Sequence, residues 1–421
     1  MSNSVFGISL TRGQYTGFFI FYDFLVFILP STLLLNFYPI ESFWVAFKVK
    51  QSVVFYVSVI ILSSYSLLIL LLFFFYKLKP SFFIYEEVYL VPNDVKVYRR
   101  FVFYNLLMSL LLIFFVWLFY GVGHSFSLSI FSNENIGIAR MALNDNIITK
   151  FSKHFFTILS PILIIIVASP VFKEIKLLRV LSLLSILFLA TWGGSKAPVL
   201  LLFLIYFATW ATFSKFKISF ISFIKVLFFT VILLFIVYHV VLLQYPHMTD
   251  LSVFFDYFFQ RVFVAQMIGI YEQFSLNIHD TLYFLHGIPF SSFFIDYPVF
   301  HKDLMMISED RSDPSSIGIK NTYFVAEAYA MGGWYFIIQA VIIFTLNLAL
   351  SYVLLFKTLN ILIANNKAFN KLISSIFLFS YISVTGGFSE LMLFKVMFMM
   401  YILMFPVFVL AYLSRFKLIC D

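Results

Sequence analysis

The chain has 421 residues, of which 62% are hydrophobic and only 11% are charged. Soluble domains carry about 25% charged residues, so this composition excludes a soluble globular protein and indicates an integral membrane protein. A net charge of +8 would favour nucleic acid as the partner of a soluble protein. In a membrane protein it reflects topology instead, and we expect no nucleic-acid binding.

The apolar segments have the length of membrane-spanning helices. A bilayer core of about 30 Å requires about 20 apolar residues in a helix, and such continuous runs exclude a β-barrel. We predict one all-α integral membrane domain over residues 1–421, with about ten transmembrane helices and one large periplasmic loop in the C-terminal half. The predicted spans are 17–38, 52–76, 101–120, 155–172, 179–194, 197–214, 220–243, 326–356, 372–387 and 391–413.

The charges of the connecting segments favour one orientation. Residues before the first span are polar and carry Arg12, so no cleavable signal peptide is predicted. With the N-terminus inside, most of the 28 lysines and arginines lie on the inner side and most of the 20 acidic residues on the outer side. Basic residues collect on the cytoplasmic side, so both termini are predicted to be cytoplasmic.

The polar residues of the outer side gather in two long segments, 121–154 and 244–325. All seven histidines map to the outer side or to the outer end of a span. Histidine suits proton transfer near neutral pH, although aqueous loops also simply contain polar residues. In the second segment, phenylalanines at 254, 255, 258, 259 and 263 recur at helical spacing, which predicts a helix in the membrane interface.

Few cations on the outer side could bind a phosphorylated ligand. Arg140, Arg261 and Arg311 are its only arginines, and together they could clamp a diphosphate if the two outer segments converge. Lys196 follows Gly193, Gly194 and Ser195 at the outer mouth of the fifth and sixth spans, where it could point into a central cavity. The alternatives are solvated loop charges and, for Lys196, a side chain that reaches the lipid headgroups.

One acidic residue, Glu327, marks the start of the predicted eighth span, four residues after Tyr323. A buried acid at a span entrance is costly unless it is paired, so Glu327 could hold a cation, bind sugar hydroxyls or orient Lys320. The alternative is an acid that complements the dipole of the helix N-terminus. Asp23, inside the first span, is interpreted as a locally satisfied polar group.

At these residues the chain resembles the O-antigen polymerase (Wzy-type) family, which is similar in architecture to O-antigen ligases. Gly194-Ser195-Lys196 before an apolar span is similar to the family's small-Ser-Arg element. Residues 323–333, YFVAEAYAMGG, are similar to the aromatic-x-x-Glu-x-Tyr-x-x-x-Gly element that ends the large loop. The family usually has arginine where this chain has Lys196, and lysine keeps the charge but loses the bidentate fork.

The resemblance implies a polymerase of lipid-linked oligosaccharide repeat units in a bacterial inner membrane. Its substrates would be undecaprenyl-pyrophosphate-linked glycans among the membrane lipids, with a chain-length regulator as a further candidate partner. Arg140, Arg261 and Lys196 would stabilise the departing undecaprenyl pyrophosphate, and His301 or Glu327 would accept the proton of the acceptor hydroxyl. Tyr323, Arg311 and Lys320 would contribute to substrate binding.

Two further functions stay open at this point, an O-antigen ligase and a flippase or other transporter of the same lipid-linked unit. A transporter usually has repeated halves and short loops, whereas this chain has a long outer segment and no internal repeat. The outer segments contain no paired DxD-like acids, and the single cysteine, Cys420, cannot form a metal site. We therefore expect a metal-independent glycosyltransferase without a cofactor.

Overall fold

The computed structural model describes residues 4–5, 8–9, 23–78, 88–124, 143, 146–193, 197–213, 228, 232, 253, 256–257, 259–291, 294–311, 320–363, 366–392 and 394–415. Two short strands, β1 (Ser4–Val5) and β2 (Ile8–Ser9), pair antiparallel. Every other regular element of the described residues is helical, which confirms the predicted all-α class.

The helices fall into a bundle and a set of short helices at one end of it. The bundle helices are α1 (Leu29–Phe37), α2 (Gln51–Leu78), α3 (Pro92–Tyr120), α4 (Ile147–Ala168), α5 (Lys176–Thr191), α6 (Ala197–Phe213), α10 (Trp334–Leu362), α11 (Lys367–Tyr381) and α13 (Lys395–Leu413). The short helices are α7 (Ile268–Leu276), α8 (Phe300–Ser308), α9 (Phe324–Gly332) and α12 (Phe388–Met392). Short π-helical segments, Phe24–Ile28 and Gln260–Val264, and 3-10 turns, Ile40–Ser42, Pro170–Phe172 and Thr281–Gly287, complete the described helical structure.

Five described helices are long and apolar enough to cross a membrane: α2, α3, α4, α10 and α13. The chain is therefore a membrane protein by the length and composition of its helices. The predicted count of about ten spans is not established by these five, because other predicted spans coincide with shorter helices such as α5 and α6. The predicted span 220–243 lies almost wholly outside the described residues.

The central helix of the bundle is α4. In its most apolar window 78% of the residues are buried, against 28% for α3 and α13. The outer helices instead expose large apolar side chains, including Phe114, Trp117 and Phe119 on α3. An exposed apolar surface of this kind is stable only in contact with lipid or another apolar partner.

Arginines mark the end of the bundle opposite the short helices. Arg179 donates to the carbonyl of Ala168 at the C-terminus of α4, at 3.0 Å, and Arg415 donates to Ile363 after α10, also at 3.0 Å. The last carbonyls of a helix lack partners within the helix and carry partial negative charge, so an arginine there is stabilising. Both arginines belong to the set that the sequence places on the cytoplasmic side.

Helix α9 folds back along α10 at Gly333, which has φ +64° and ψ −150°. The ring of Phe324 stacks on Phe344, ten residues into α10, with centroids 4.6 Å apart. The two helices therefore run antiparallel from the Gly333 turn, and the prediction of one continuous span over 326–356 was wrong. Glu327 lies on the separate short helix α9 and not on the spanning helix α10.

Helix α7 overlaps the second half of residues 251–274, the phenylalanine-rich stretch that is predicted to form a helix in the interface. Residues 268–275 are all buried, and α7 packs against α2 and α9. The hydroxyl groups of Tyr271 and Ser58 lie 3.0 Å apart, and Ser275 accepts a hydrogen bond from the backbone N–H of Lys50. The chain after Gln260 thus enters the fold and forms part of the wall around α9.

Candidate functional site

A fully buried carboxylate lies at the end of the bundle where the short helices gather. Oε1 of Glu327 accepts a hydrogen bond from the hydroxyl of Ser389 at 2.7 Å, and Oε2 accepts one from the backbone N–H of Ser389 at 3.0 Å. An ionised carboxylate only accepts hydrogen bonds, so it satisfies both donors. The N-terminus of α12 therefore fixes both oxygens of a side chain that has no exposed surface.

His301 faces the same carboxylate from α8. Its Nδ1 lies 2.9 Å from the carbonyl oxygen of Lys320, and because a carbonyl only accepts, Nδ1 carries the proton. Nε2 is directed at Oε2 of Glu327, 4.0 Å away. We call Glu327, His301 and Ser389 the carboxylate–histidine site.

The gap between His301 and Glu327 is kept open by a glycine. A Cβ on Gly387 would lie 2.8 Å from Oε2 of Glu327 and 3.0 Å from Nε2 of His301. Direct hydrogen bonds are about 2.7–3.2 Å long, so 4.0 Å leaves room for an atom that bridges the two groups. The opening beside Gly387 is where a hydroxyl group could reach both the base and the carboxylate.

Residues 320–323, which we call the strap, hold His301 in this orientation. The backbone N–H of Lys320 donates to the carbonyl of His301 at 3.2 Å, and the carbonyl of Lys320 accepts a hydrogen bond from the Nδ1–H of His301. The Lys320 ammonium is buried, 3.0 Å from Glu272 and 3.5 Å from Glu309. Burial raises the pKa of Glu272, although the Lys320 ammonium favours its charged form.

A second histidine stands behind Ser389. Nδ1 of His286 lies 3.2 Å from the Ser389 hydroxyl, and Nε2 lies 3.9 Å from Glu390. Lys395 donates to the backbone carbonyl of His286 at 2.5 Å and lies 3.6 Å from Glu390. Burial lowers the pKa of His286 and the Lys395 ammonium lowers it further, while Glu390 opposes the change.

The structure brings together His301 and Glu327, the two residues predicted as alternative bases. It does not show the predicted cations gathered around one position. Arg140 and Lys196 lie outside the described residues. Arg261 is exposed on the π-helical segment before α7. The side chain of Gln266 donates a hydrogen bond to the backbone carbonyl of Arg261 and accepts one from the side chain of Asn321 in the strap. Arg311 is half-exposed and forms an ion pair with Glu309 at 2.8 Å.

The structure places the remaining predicted substrate-binding residues in the interior. Tyr323 has no exposed surface, and its hydroxyl lies 3.3 Å from that of Ser64 on α2. Lys320 is paired with Glu272 and Glu309, so the suggestion that Glu327 orients the Lys320 side chain was wrong. Both residues support the strap beneath the carboxylate–histidine site. Among the described residues, no group of histidine, cysteine, aspartate and glutamate side chains could hold a metal ion.

Sequence reasoning missed Ser389, His286 and Gly387 as parts of the site. Ser389 and Glu327 are 62 residues apart, and Ser389 and His286 are 103 residues apart, so no local spacing relates them. One signal was available, because Gly386-Gly387-Phe-Ser389-Glu390 is a polar turn between two apolar helices. Such a turn at the outer end of two predicted spans was a candidate wall of the site.

Comparison of the chain with protein-family models, with curated proteins and with solved structures gave no match.

Proposed function

We propose that this protein is a polymerase of lipid-linked oligosaccharide repeat units, for O-antigen or a related surface polysaccharide. It would transfer the growing glycan from undecaprenyl pyrophosphate to a new repeat unit at the periplasmic face of a bacterial inner membrane. The observation that carries the proposal is the buried Glu327 carboxylate, 4.0 Å from Nε2 of His301. Such a pair suits the removal of a proton from a hydroxyl nucleophile.

The reaction needs one base and one site for an anionic leaving group. An acceptor hydroxyl in the gap beside Gly387 could lie about 2.8 Å from both Nε2 of His301 and Oε2 of Glu327. Its oxygen forms the new bond to C1 of the donor sugar, while the bond from C1 to the pyrophosphate oxygen breaks. The hydroxyl proton passes to His301, and undecaprenyl pyrophosphate leaves with the electron pair.

Glu327 would stabilise the imidazolium that forms on His301. The two hydrogen bonds from Ser389 fix the carboxylate, and the bond to the Lys320 carbonyl fixes the imidazole tautomer. Neither group has to reorient when the charge develops, which is how a preorganised site lowers a barrier. A positioned acid or base contributes about 10²–10⁴-fold to a rate.

The cations of the leaving-group site remain those that the sequence proposes: Arg140, Arg261 and Lys196. The described turn before Lys196 lies against α4, where the side chain of Lys153 would be 3.1 Å from a Cβ on Gly193. This contact brings Gly193, three residues before Lys196 in the sequence, beside the lysine-bearing first turns of α4. Arg311 is retained as a substrate-binding residue, while Tyr323 and Lys320 would act by holding the strap.

The orientation proposed from the charges agrees with the two ends of the bundle. The carboxylate–histidine site lies beside the first residues of α10 and α13, and Arg179 and Arg415 lie at the other end. With the arginine end in the cytoplasm, the site faces the periplasm and both termini are cytoplasmic. This is the membrane face on which lipid-linked repeat units would be polymerised.

The decisive genetic experiment is the lipopolysaccharide pattern of a deletion strain. Lipid A core that carries a single repeat unit indicates a lost polymerase, whereas core without any unit indicates a lost ligase or flippase. Complementation with Glu327→Gln should leave single capped units, because the amide cannot take up or stabilise the proton. The exposed acid Glu41 provides the control, and Glu41→Gln should restore long chains at the same protein level. A normal ladder with Glu327→Gln would refute the assigned site.

A further inference from the structure

The carboxylate–histidine site is buried, so the proton taken from each acceptor needs a way out. Glu327 has no exposed surface and only 7% of His301 is exposed. Polymerisation repeats the same deprotonation at every step, and a proton that stays on the pair blocks the next one. The chemistry proposed above therefore requires a route from the site to water.

A continuous line of polar atoms leads from Glu327 to the surface. The Ser389 hydroxyl lies 2.7 Å from Oε1 of Glu327 and 3.2 Å from Nδ1 of His286. The other ring nitrogen of His286 lies 3.9 Å from Glu390, whose side chain is 39% exposed. Each successive group both accepts and releases a proton, and exposure increases along the line.

The close approach of His286 to Ser389 depends on the residue that follows it. A Cβ on Gly287 would lie 2.1 Å from the carbonyl oxygen of Ser389, so only glycine permits this contact between the 3-10 turn and α12. The backbone carbonyl of His286 is held by Lys395. The turn is thus fixed on both sides of the imidazole.

We propose that Ser389 and His286 form a proton relay that carries the acceptor proton from Glu327 to Glu390 and the surrounding water. The inference rests on the proposed polymerase function and assigns positioning and proton-transfer roles to two residues outside the pair that meets the substrate. Ser389 would serve the reaction both by fixing the carboxylate and by passing its proton.

The proton balance of the relay closes in one exchange. His301 delivers the proton to Oε2 of Glu327, and a half-turn of the carboxyl group about its Cγ–Cδ bond brings that proton against Oγ of Ser389. Oγ accepts it while the hydroxyl proton of Ser389 passes to the unprotonated Nδ1 of His286. His286 then releases its Nε2 proton towards Glu390 and water, and a half-turn of the imidazole ring returns an unprotonated nitrogen to Ser389. No oxidant, reductant or metal takes part, and the carboxylate is ionised again for the next acceptor.

The charges around His286 suit a group that does not retain the proton. The titratable groups that face it are Lys395 from α13, Glu390 from α12, Glu327 from α9 and His301 from α8. Tyr297 lies beside the ring, with centroids 5.9 Å apart. Lys395 and burial disfavour the imidazolium, while Glu390 stands where a released proton would arrive.

The test uses the purified full-length protein with an undecaprenyl-pyrophosphate-linked repeat unit and measures the first and the later transfers separately. In His286→Ala the first transfer should proceed at the wild-type rate, because His301 and Glu327 can still hold one proton. Later transfers should be about 10²-fold slower. Added imidazole should restore them, since the truncated side chain leaves space beside Glu390, whose side chain is 39% exposed. His279→Ala removes an exposed histidine and should behave as the wild type.

A second variant keeps the relay testable if the alanine variant does not fold. His286→Gln retains an amide that can bind the Ser389 hydroxyl but cannot carry a proton, so it should also show one fast transfer followed by slow ones. Equal slowing of the first and later transfers, or wild-type rates throughout, would overturn the relay. Failure of the wild-type protein to elongate any glycan would instead reject the proposed function itself.

Discussion

Gly387→Ala places a methyl group between the base and the carboxylate. The new Cβ would lie 2.8 Å from Oε2 of Glu327 and 3.0 Å from Nε2 of His301, so one of the two side chains must move. Neither moves freely, because Ser389 holds the carboxylate with two hydrogen bonds and the Lys320 carbonyl holds the imidazole. The methyl group also fills the space that the acceptor hydroxyl would occupy.

The expected loss of rate follows from the geometry. A positioned base contributes about 10²–10⁴-fold, which corresponds to about 2.7–5.4 kcal/mol at 1.36 kcal/mol per factor of ten. The cost to folding should be smaller, about 1–3 kcal/mol, as is usual when a methyl group overfills a packed site. Gly387→Ala should therefore accumulate in the membrane and still fail to make long chains.

The neighbouring glycine offers a matched control for this variant. A Cβ on Gly386 would meet only the carbonyl oxygen of Ser383, at 3.2 Å, and would not reach the carboxylate–histidine site. Both variants are compared by complementation of a deletion strain, with lipopolysaccharide gels and immunoblots of the membranes. Gly386→Ala should restore the ladder. A normal ladder with Gly387→Ala at normal protein level would refute the assignment of the gap as the acceptor position.

Three further predictions concern the supports of the site. Lys320→Met leaves the buried Glu272 charge without its partner, so it should lower the free energy of unfolding by about 3–5 kcal/mol in thermal unfolding of the detergent-solubilised protein. The double variant Lys320→Met with Glu272→Leu should recover most of this loss. Equal losses in the single and the double variant would contradict the ion-pair account. Gly333→Ala forces an L-residue to φ +64° and ψ −150° and should lower the free energy of unfolding by about 1–3 kcal/mol in the same measurement. Nothing lies within 4 Å of the added Cβ, so backbone strain is the source of this loss and steric overlap adds nothing. Because burial lowers the pKa of His286, its imidazole should titrate below the ordinary value of 6.5, and its neutral form should be lost only as the pH falls through this lower pKa. The measurement is an NMR titration in which the His286 signal is assigned by its absence in His286→Gln. A midpoint at or above 6.5 would contradict the expected shift.

The composition of the chain was sufficient to predict the class of the fold. Long apolar runs predicted helices, and α2, α3, α4, α10 and α13 are long and apolar enough to span a membrane. The reversal at Gly333 was not predicted, because α9 and α10 are both apolar and the hydrophobic pattern continues through the turn. A pair of glycines within an apolar run was the only local sign that the backbone could reverse there.

The site was predictable in part for a related reason. Glu327 and His301 stood out individually, as an acid next to an apolar span and as a histidine on the outer side. Their proximity depends on the strap, whose backbone bonds to His301 across 19 residues. Lys320 attracted attention as a cation, but its buried pair with Glu272 could not be read from two residues 48 positions apart. Hydrophobic periodicity describes single helices and contains no information about such long-range polar contacts.

The central claim is that the pair of Glu327 and His301 deprotonates an acceptor sugar during glycan polymerisation. Its most direct test is glycan elongation by the purified protein with an undecaprenyl-pyrophosphate-linked repeat unit as the only substrate. The wild-type protein should form long glycans and release undecaprenyl pyrophosphate, and Glu327→Gln should do neither above a rate about 10²-fold lower. Elongation by Glu327→Gln at the wild-type rate, or transfer by the wild type only when lipid A core is supplied, would contradict the claim.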